Sequence, residues 1–277
     1  MTTRKAVVLA RGKGTRMQEK SGDESLDDRA RRMATRGLKG LIPVGGRPFL
    51  DYIVDSFLQA GIDRICLVIA PGCTEMQRYA RGVTERSGAT VVCAVQEEAL
   101  GTADAVLAAQ DFAGDDPFLL SNSDNLCSVE ALRRLADADG CAVAAFARNE
   151  LARGGNISPE RVRAFAAVNC NEEGRLRAIV EKPDDPERYA VNGEVWVNMN
   201  LYRFTPKIFD ACRRIEPNEE RGELELTDAV DLLLAGGASF HALRCRSGAV
   251  DLTRRADIPG AREALRGREP SFPLPEE

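Results

Sequence analysis

A short run near the start of the chain, Leu9-Ala10-Arg11-Gly12-Lys13-Gly14-Thr15-Arg16-Met17, combines two glycines with three cations. It follows Ala6-Val7-Val8-Leu9, an apolar run that reads as a buried strand. Glycines let a backbone turn tightly and approach a ligand with no side chain between. Bare N–H groups with the fixed charge of Arg16 make a seat for phosphate. Two better-known phosphate loops do not fit. The dinucleotide fingerprint needs a third glycine where this chain has Met17. The ATP-type loop needs four residues between its glycines, whereas only Lys13 separates Gly12 from Gly14. By itself the pair is equally an ordinary turn after a strand.

Five other stretches carry chemistry-capable groups. Lys39 precedes the first long helix, and Gln96 to Thr102 forms a polar loop between strand and helix. Asp124 ends an expected parallel strand, where open α/β sheets bind ligands. Glu181-Lys182-Pro183 ends another strand, and Asp251 follows a short apolar run. Taken singly, each has a bland reading: a surface lysine, a turn or cap aspartate, a solvated strand end. The lone His241 sits in an expected strand and reads as structural, which leaves no histidine-based triad.

The elements that must position these groups alternate over the first half. Apolar residues at 49, 50, 53, 54, 57 and 58 mark one helix face, stopped by Gly61. Strands are expected at 64–70, 89–95 and 117–121. Thr74 with Gln77 reads as a capping box, 102–110 as a helix, and Ser128 as the cap of a helix to about Ala136. Later strands are expected at 141–147, 163–169, 175–181, 194–204 and 240–245, with helices near 206–215 and 223–235. Asn171-Glu172-Glu173-Gly174 is a hairpin signal. The alternation predicts an α/β fold, a Rossmann-like three-layer α/β/α sandwich around a mostly parallel central mixed sheet. Gln18 to Arg36 is highly charged and reads as a surface insertion, either passive or a lid, with one or two helical turns. The Pro- and Glu-rich last dozen residues read as frayed.

Of 277 residues, 44% are apolar and 29% charged, ordinary for a soluble domain that buries its own core. The net charge of −5 argues against broad nucleic-acid binding but not against a small phosphorylated ligand. Eight cysteines include no CxxC pair, and several sit in apolar runs as small core residues. With no signal-peptide pattern and no membrane-length apolar run, a cytoplasmic protein is expected.

In order and spacing, the motif set resembles the sugar-phosphate nucleotidyltransferase family, the NDP-sugar pyrophosphorylases. The resemblance runs over about residues 4–256. It rests on the glycine loop, Lys39 with Pro43-Val44, Gln96 with Leu100-Gly101-Thr102, and Asp124-Asn125. It continues through Glu181-Lys182-Pro183, Asn198 with Tyr202, Gly222 to Asp228, and Asp251 with Thr253. It implies an enzyme that joins a nucleoside triphosphate to a sugar 1-phosphate or related cyclitol phosphate and releases pyrophosphate. It also implies one nucleotidyltransferase domain over 1–256, with a nucleotide half to about 125, a sugar-phosphate half from 126, and a C-terminal helix and tail over 257–277.

By the same resemblance, Arg16, Lys39 and Lys182 are catalytic cations. Leu9, Ala10, Arg11, Gly12, Gly14, Thr15, Gln96, Gly101 and Thr102 meet the nucleotide. Asn125, Glu181, Lys182 and Asn198 meet the sugar phosphate, and Asp124 with Asp251 hold Mg²⁺. Roles for Glu225 and Thr227 stay open. A glutamine at 96 offers an amide to the imide edge of a base, which favours UTP or dTTP and leaves GTP open. A homo-oligomeric state is left open. Some positions depart from the family pattern. Arg11 replaces a small residue, and Leu38 and Gly40 replace prolines. Ser123, Ala167 and Asn200 replace glycines around the acceptor. These last three point to an acceptor other than plain glucose 1-phosphate. The alternative reading is an inactive nucleotide-binding module of the same fold.

Overall fold

The computed structural model describes residues 2–12, 14–19, 27–219 and 222–274. Among the described residues, nine strands form one sheet: β1 Lys5–Leu9, β2 Arg64–Ile69, β3 Thr90–Val95, β4 Phe118–Asn122, β5 Cys141–Ala147, β6 Ala167–Cys170, β7 Leu176–Val180, β8 Trp196–Phe204 and β9 Phe240–Cys245. Their order is β7-β6-β8-β4-β1-β2-β3. The first four strands run parallel, because helices such as Phe49–Gln59 and Thr74–Ser87 carry the chain back between them. β8 is antiparallel and shared: Tyr202–Phe204 pair with β4 and Val197 pairs with β6 on one edge. β5 runs along its other edge and pairs in parallel with β9. A mostly parallel mixed sheet is therefore as expected.

Period-two alternation sends strand side chains to two cores. Ala6, Val8 and Leu119 enter one, and Val7, Phe118 and Leu120 enter the other. This gives the three expected layers, with helices over both faces.

Local signals held in several places. Ser128 accepts a bond from the Ala131 N–H and starts the helix Val129–Asp137. The 171–174 hairpin forms, with Asn171 Oδ1 accepting from the Arg175 N–H and Gly174 left-handed. The buried thiols behave as core residues: burial pushes Cys66, Cys127 and Cys212 up to about 12. His241 is half-buried in β9, with its Nε2 3.1 Å from Ser239 Oγ.

Elsewhere tertiary packing overrode the local reading. The Thr74–Gln77 capping box does not form; Cys73 takes the N-cap without a side-chain bond, and Thr74 Oγ1 turns to Glu75. The expected strand at 163–169 is split into a helix, Pro159–Arg163, and the later β6. Proline at the first helical position favours that helix. The 18–36 insertion, by contrast, holds the one or two helical turns expected of it: Asp28–Thr35 is a two-turn helix capped by Asp27, and it buries Ala30 and Ala34. Residues 20–26 of the insertion lie outside the described residues, as does Lys13 of the glycine loop.

The tail is docked rather than frayed as far as it is described; residues 275–277 lie outside. Phe272 is 5% exposed, with the guanidinium groups of Arg47 and Arg86 at 5.3 and 5.2 Å from its ring centre. Among the described residues, no helix is long and apolar enough to cross a membrane.

Candidate active site

The C-terminal ends of β1 and β4 lie side by side, because Leu9 pairs with Asn122. The glycine loop therefore leaves the sheet next to Ser123-Asp124. Gly14 has φ +62 and begins a one-turn helix, Thr15–Gln18. A Cβ there would stand 2.6 Å from the Cα of Gly37, so only glycine allows these two segments to touch. A Cβ on Gly12 would meet nothing within 4 Å, which leaves open space on the ligand side. Arg255 locks the loop from below: it is 2% exposed and donates to the carbonyl of Met17.

Two cavities open at this edge. The first, of about 410 Å³, is lined by all nine residues expected to meet the nucleotide, together with Arg16, Lys39 and Asp124. The second, of about 500 Å³, takes in Asn125, Glu181, Asn198, Asn200 and Asp251. Arg16, Thr102, Asn122, Asp124 and Glu223 line both. Lys182 is the candidate that the fold leaves out: it is exposed, lies in neither wall, and has φ +41.

Three of the charged candidates, Lys39, Asp124 and Asp251, are already paired. Lys39 Nζ lies 2.6 Å from Asp124 Oδ2, each side chain 16% exposed. Asp251 is 3% exposed and saturated. Its Oδ1 accepts from Arg161 Nη2 (2.5 Å) and the Thr253 N–H (2.9 Å). Its Oδ2 accepts from Asn125 Nδ2 (2.8 Å) and Thr253 Oγ1 (3.0 Å). Asn156 fixes the backbone of the same residue, donating to its carbonyl and accepting from its N–H, both at 2.8 Å. Burial works against the Arg161 charge, but Asp251, Asp257 and Asp124 outweigh it and raise the guanidinium pKa.

No group of three or more His, Cys, Asp or Glu side chains able to hold a metal occurs among the described residues. Asp124 and Asp251 both line the second cavity, together with Glu181, Glu223 and Glu225. That donor set suits a hard cation that takes its other ligands from phosphate oxygens and water. Each of the two aspartates now carries a protein cation, Lys39 or Arg161, so an incoming divalent ion replaces charge that the protein already supplies.

The base loop is pinned on three sides. The amide nitrogen of Gln96 donates to the Gly101 carbonyl (3.0 Å) and to Asp104 Oδ2 (2.8 Å). Arg11 donates to the carbonyls of Gln96 and Glu97 at 3.0 and 3.2 Å. Gly101, at φ +125, lies against Leu224, where a Cβ would run into its carbonyl oxygen and nitrogen. The Leu226 N–H also bonds Thr102 Oγ1 at 2.9 Å, so the 222–228 segment closes one side of the nucleotide cavity.

In the second cavity, Asn198 donates to the Tyr202 hydroxyl (2.7 Å) and to Asn200 Oδ1 (3.2 Å), and accepts from the Asn200 N–H (2.9 Å). Asn200 adopts φ +53. Asparagine tolerates this left-handed conformation, so the chain keeps a glycine-like backbone while adding a side chain to the wall.

A protein-family model described as nucleotidyl transferase matches residues 5–247. The chain belongs to that family.

This match bears out the resemblance to the sugar-phosphate nucleotidyltransferases and the class of enzyme that it implies. This nucleotidyltransferase is 28% identical over 263 residues to the UTP–glucose-1-phosphate uridylyltransferase AglF of Haloferax volcanii, covering 94% of this chain and 96% of that protein. It is 30% identical over 241 residues to the low-salt glycan biosynthesis nucleotidyltransferase Agl11 of the same organism. There it covers 86% of this chain and spans 59% of the relative's length. It is 32% identical over 242 residues to a glucose-1-phosphate thymidylyltransferase of Streptomyces antibioticus, covering 86% of this chain and 60% of that one. Among solved structures, a putative glucose-1-phosphate thymidylyltransferase from Bacillus anthracis, in complex with a sucrose, superposes with TM-score 0.71 at 21% identity over 96% of each chain. At that identity the likeness shows the shared fold.

Sequence reasoning about this nucleotidyltransferase missed Asn156, Arg161 and Asp104. Each lies far from its partner in sequence or inside a helix start, and none forms a local motif. The Pro159 helix start is the one local hint for Arg161.

Proposed function

We propose that this chain transfers a nucleotidyl group from a nucleoside triphosphate to a sugar 1-phosphate or a related cyclitol phosphate, releasing pyrophosphate. The observation that carries this reading is the shared wall: Asp124 and Arg16 line both cavities, so a ligand in each would meet at these residues. A phosphate oxygen of the acceptor would attack the α-phosphorus in line with the leaving pyrophosphate, with no covalent nucleophile. The protein's task is to align two polyanions and neutralise charge that grows on the leaving group.

In this reading Arg16 and Lys39 hold the triphosphate. The open face of Gly12 and the N–H groups of the loop admit its phosphates. Asn125, Glu181, Asn198 and Asn200 meet the acceptor's hydroxyls, and the cations lining its cavity are Arg16, Arg161 and Arg254. Lys182 is placed on the acceptor phosphate by family resemblance alone. Asp124 and Asp251 would hold Mg²⁺, which when bound supplies charge neutralisation to the triphosphate. UTP or dTTP is the favoured donor, in keeping with the relatives' names, and GTP remains a candidate. The acceptor is a sugar or cyclitol other than plain glucose 1-phosphate, a reading that rests on Asn200, which adds a side chain to the second cavity where the family has glycine; Ser123 lines the first cavity instead, and the buried Ala167 lines neither.

The test is a pyrophosphate-release screen of UTP, dTTP, GTP, CTP and ATP against sugar and cyclitol 1-phosphates with Mg²⁺. Release with at least one pair is expected. Bound nucleotide without release in any combination would leave a binding module instead, and turnover of glucose 1-phosphate equal to the best acceptor would remove the acceptor assignment.

A further inference from the structure

Gln96 is 5% exposed and lines the nucleotide cavity, yet both of its amide hydrogens are spent inside the protein. One goes to the carbonyl of Gly101 and the other to Asp104 Oδ2. A backbone carbonyl and a carboxylate accept hydrogen bonds and do not donate them. If the amide were turned over, its oxygen would face two other acceptors at bonding distance. The amide therefore has one orientation. Its nitrogen faces Asp104, and Oε1 is the atom left for a ligand.

The backbone of the same residue is fixed independently. Arg11 donates to the carbonyls of Gln96 and Glu97, and the Gln96 N–H donates to the Ile69 carbonyl at 3.0 Å. Asp104 in turn sits in the first turn of the helix Thr102–Ala108, whose start is anchored by the Ala103 N–H on Leu224 O and by Leu226 on Thr102. Neither end of the bond between Gln96 and Asp104 is free to drift.

We propose that Asp104 is a specificity-determining, positioning residue. It turns Gln96 into a fixed hydrogen-bond acceptor, so the cavity selects triphosphates whose base carries a ring N–H, which are uracil, thymine and guanine. This rests on the reading above that the base lies at Gln96. Cytosine and adenine present a bare ring nitrogen at that edge. Against a fixed Oε1 this sets lone pair on lone pair, a mismatch that a rotating amide would relieve. Without Asp104 only the Gly101 carbonyl still holds the amide nitrogen, so the orientation is less firmly fixed and the discrimination would weaken while the cavity stays.

The test measures dissociation constants of all five triphosphates by titration calorimetry, with pyrophosphate release alongside, for the wild type, Asp104→Ala and Asp104→Asn. The wild type is expected to bind UTP, dTTP or GTP about tenfold or more tighter than CTP and ATP, the worth of one well-made hydrogen bond. Asp104→Ala should shrink that ratio several-fold, mainly through the nucleotide KM. Asp104→Asn should restore much of it, because its side-chain oxygen can still accept from Gln96. Thermal melting of each variant separates specificity from folding. A wild type that prefers CTP or ATP, or an Asp104→Ala variant that weakens all five triphosphates equally, would overturn the proposal. Discriminating binding without turnover would leave it standing and remove the transferase reading, and no nucleotide binding at all would remove both.

Discussion

Arg161 Nη2 lies 2.5 Å from Asp251 Oδ1, and the same guanidinium reaches Asp257 Oδ1 at 2.7 Å. A candidate metal carboxylate is thus held by a cation from a helix 90 residues earlier in the chain. Replacing Arg161 by alanine leaves Asp251 buried and short of a positive partner. The expected loss of stability is roughly 1–3 kcal/mol, below that of a fully dry pair because Arg161 is partly exposed. The uncovered carboxylate should bind a divalent ion more tightly. Calorimetric melting with and without Mn²⁺ checks both: a Tm that falls without the ion and recovers more than the wild type's with it.

Asp124 stands between the two cavities and pairs with Lys39. Asp124→Ala should lower kcat on the order of 10²–10³-fold or more while the far-UV circular dichroism stays that of the wild type. Activity retained within a few-fold would mean that the metal assignment is wrong.

Two glycines of the nucleotide cavity should behave oppositely. At Gly101 a methyl group meets the Leu224 backbone and φ is +125, so Gly101→Ala should cost about 2 kcal/mol or more by denaturant titration. At Gly12 the methyl group enters open space. Gly12→Ala should change stability by less than about 0.5 kcal/mol, yet raise the nucleotide KM by occupying the ligand's side.

The docked tail predicts a stability cost for a residue far from the site. Phe272→Ala removes a ring clamped by Arg47 and Arg86 and should lower stability by roughly 2–4 kcal/mol. A melting temperature unchanged from the wild type would show that the tail is dispensable.

Alkaline pH provides a test of the buried thiols. Burial raises Cys66, Cys127 and Cys212 to about 12 in the folded chain, above the ordinary thiol value. A raised pKa means that the folded state holds the proton longer. Its stabilising effect is whole below the unfolded value near 9 and is lost as pH rises from there through about 12. Each such thiol should steepen the fall by up to about 1.4 kcal/mol per pH unit across that window. Thiolate absorbance should rise together with loss of circular dichroism; stepwise titration of these thiols in a folded chain would contradict their burial.

Local patterning was enough to place much of this protein. The apolar run before the glycine loop, the 49–58 helix face, the Ser128 cap and the 171–174 hairpin depend on near neighbours in sequence, and each formed. The candidates that the ordered motifs named fall in the walls of the two cavities, Lys182 apart, whereas Arg161 and Arg254 of the second cavity belong to no motif. The Pro- and Glu-rich chain end misled, because Phe272 gains its order by burial against the distant Arg47 and Arg86, whereas the two-turn helix of the 18–36 insertion is as expected.

What the sequence alone determined was the kind of group at each position: acids at 124 and 251, an amide at 96, cations at 16 and 39. Which atoms of those groups face a ligand was decided by tertiary structure. Asp251 is filled by Arg161, Asn125 and Thr253, and Gln96 has spent both donors on Gly101 and Asp104. A side chain's free valence depends on its neighbours, and here those neighbours come from the crossing of distant loops at the end of the sheet.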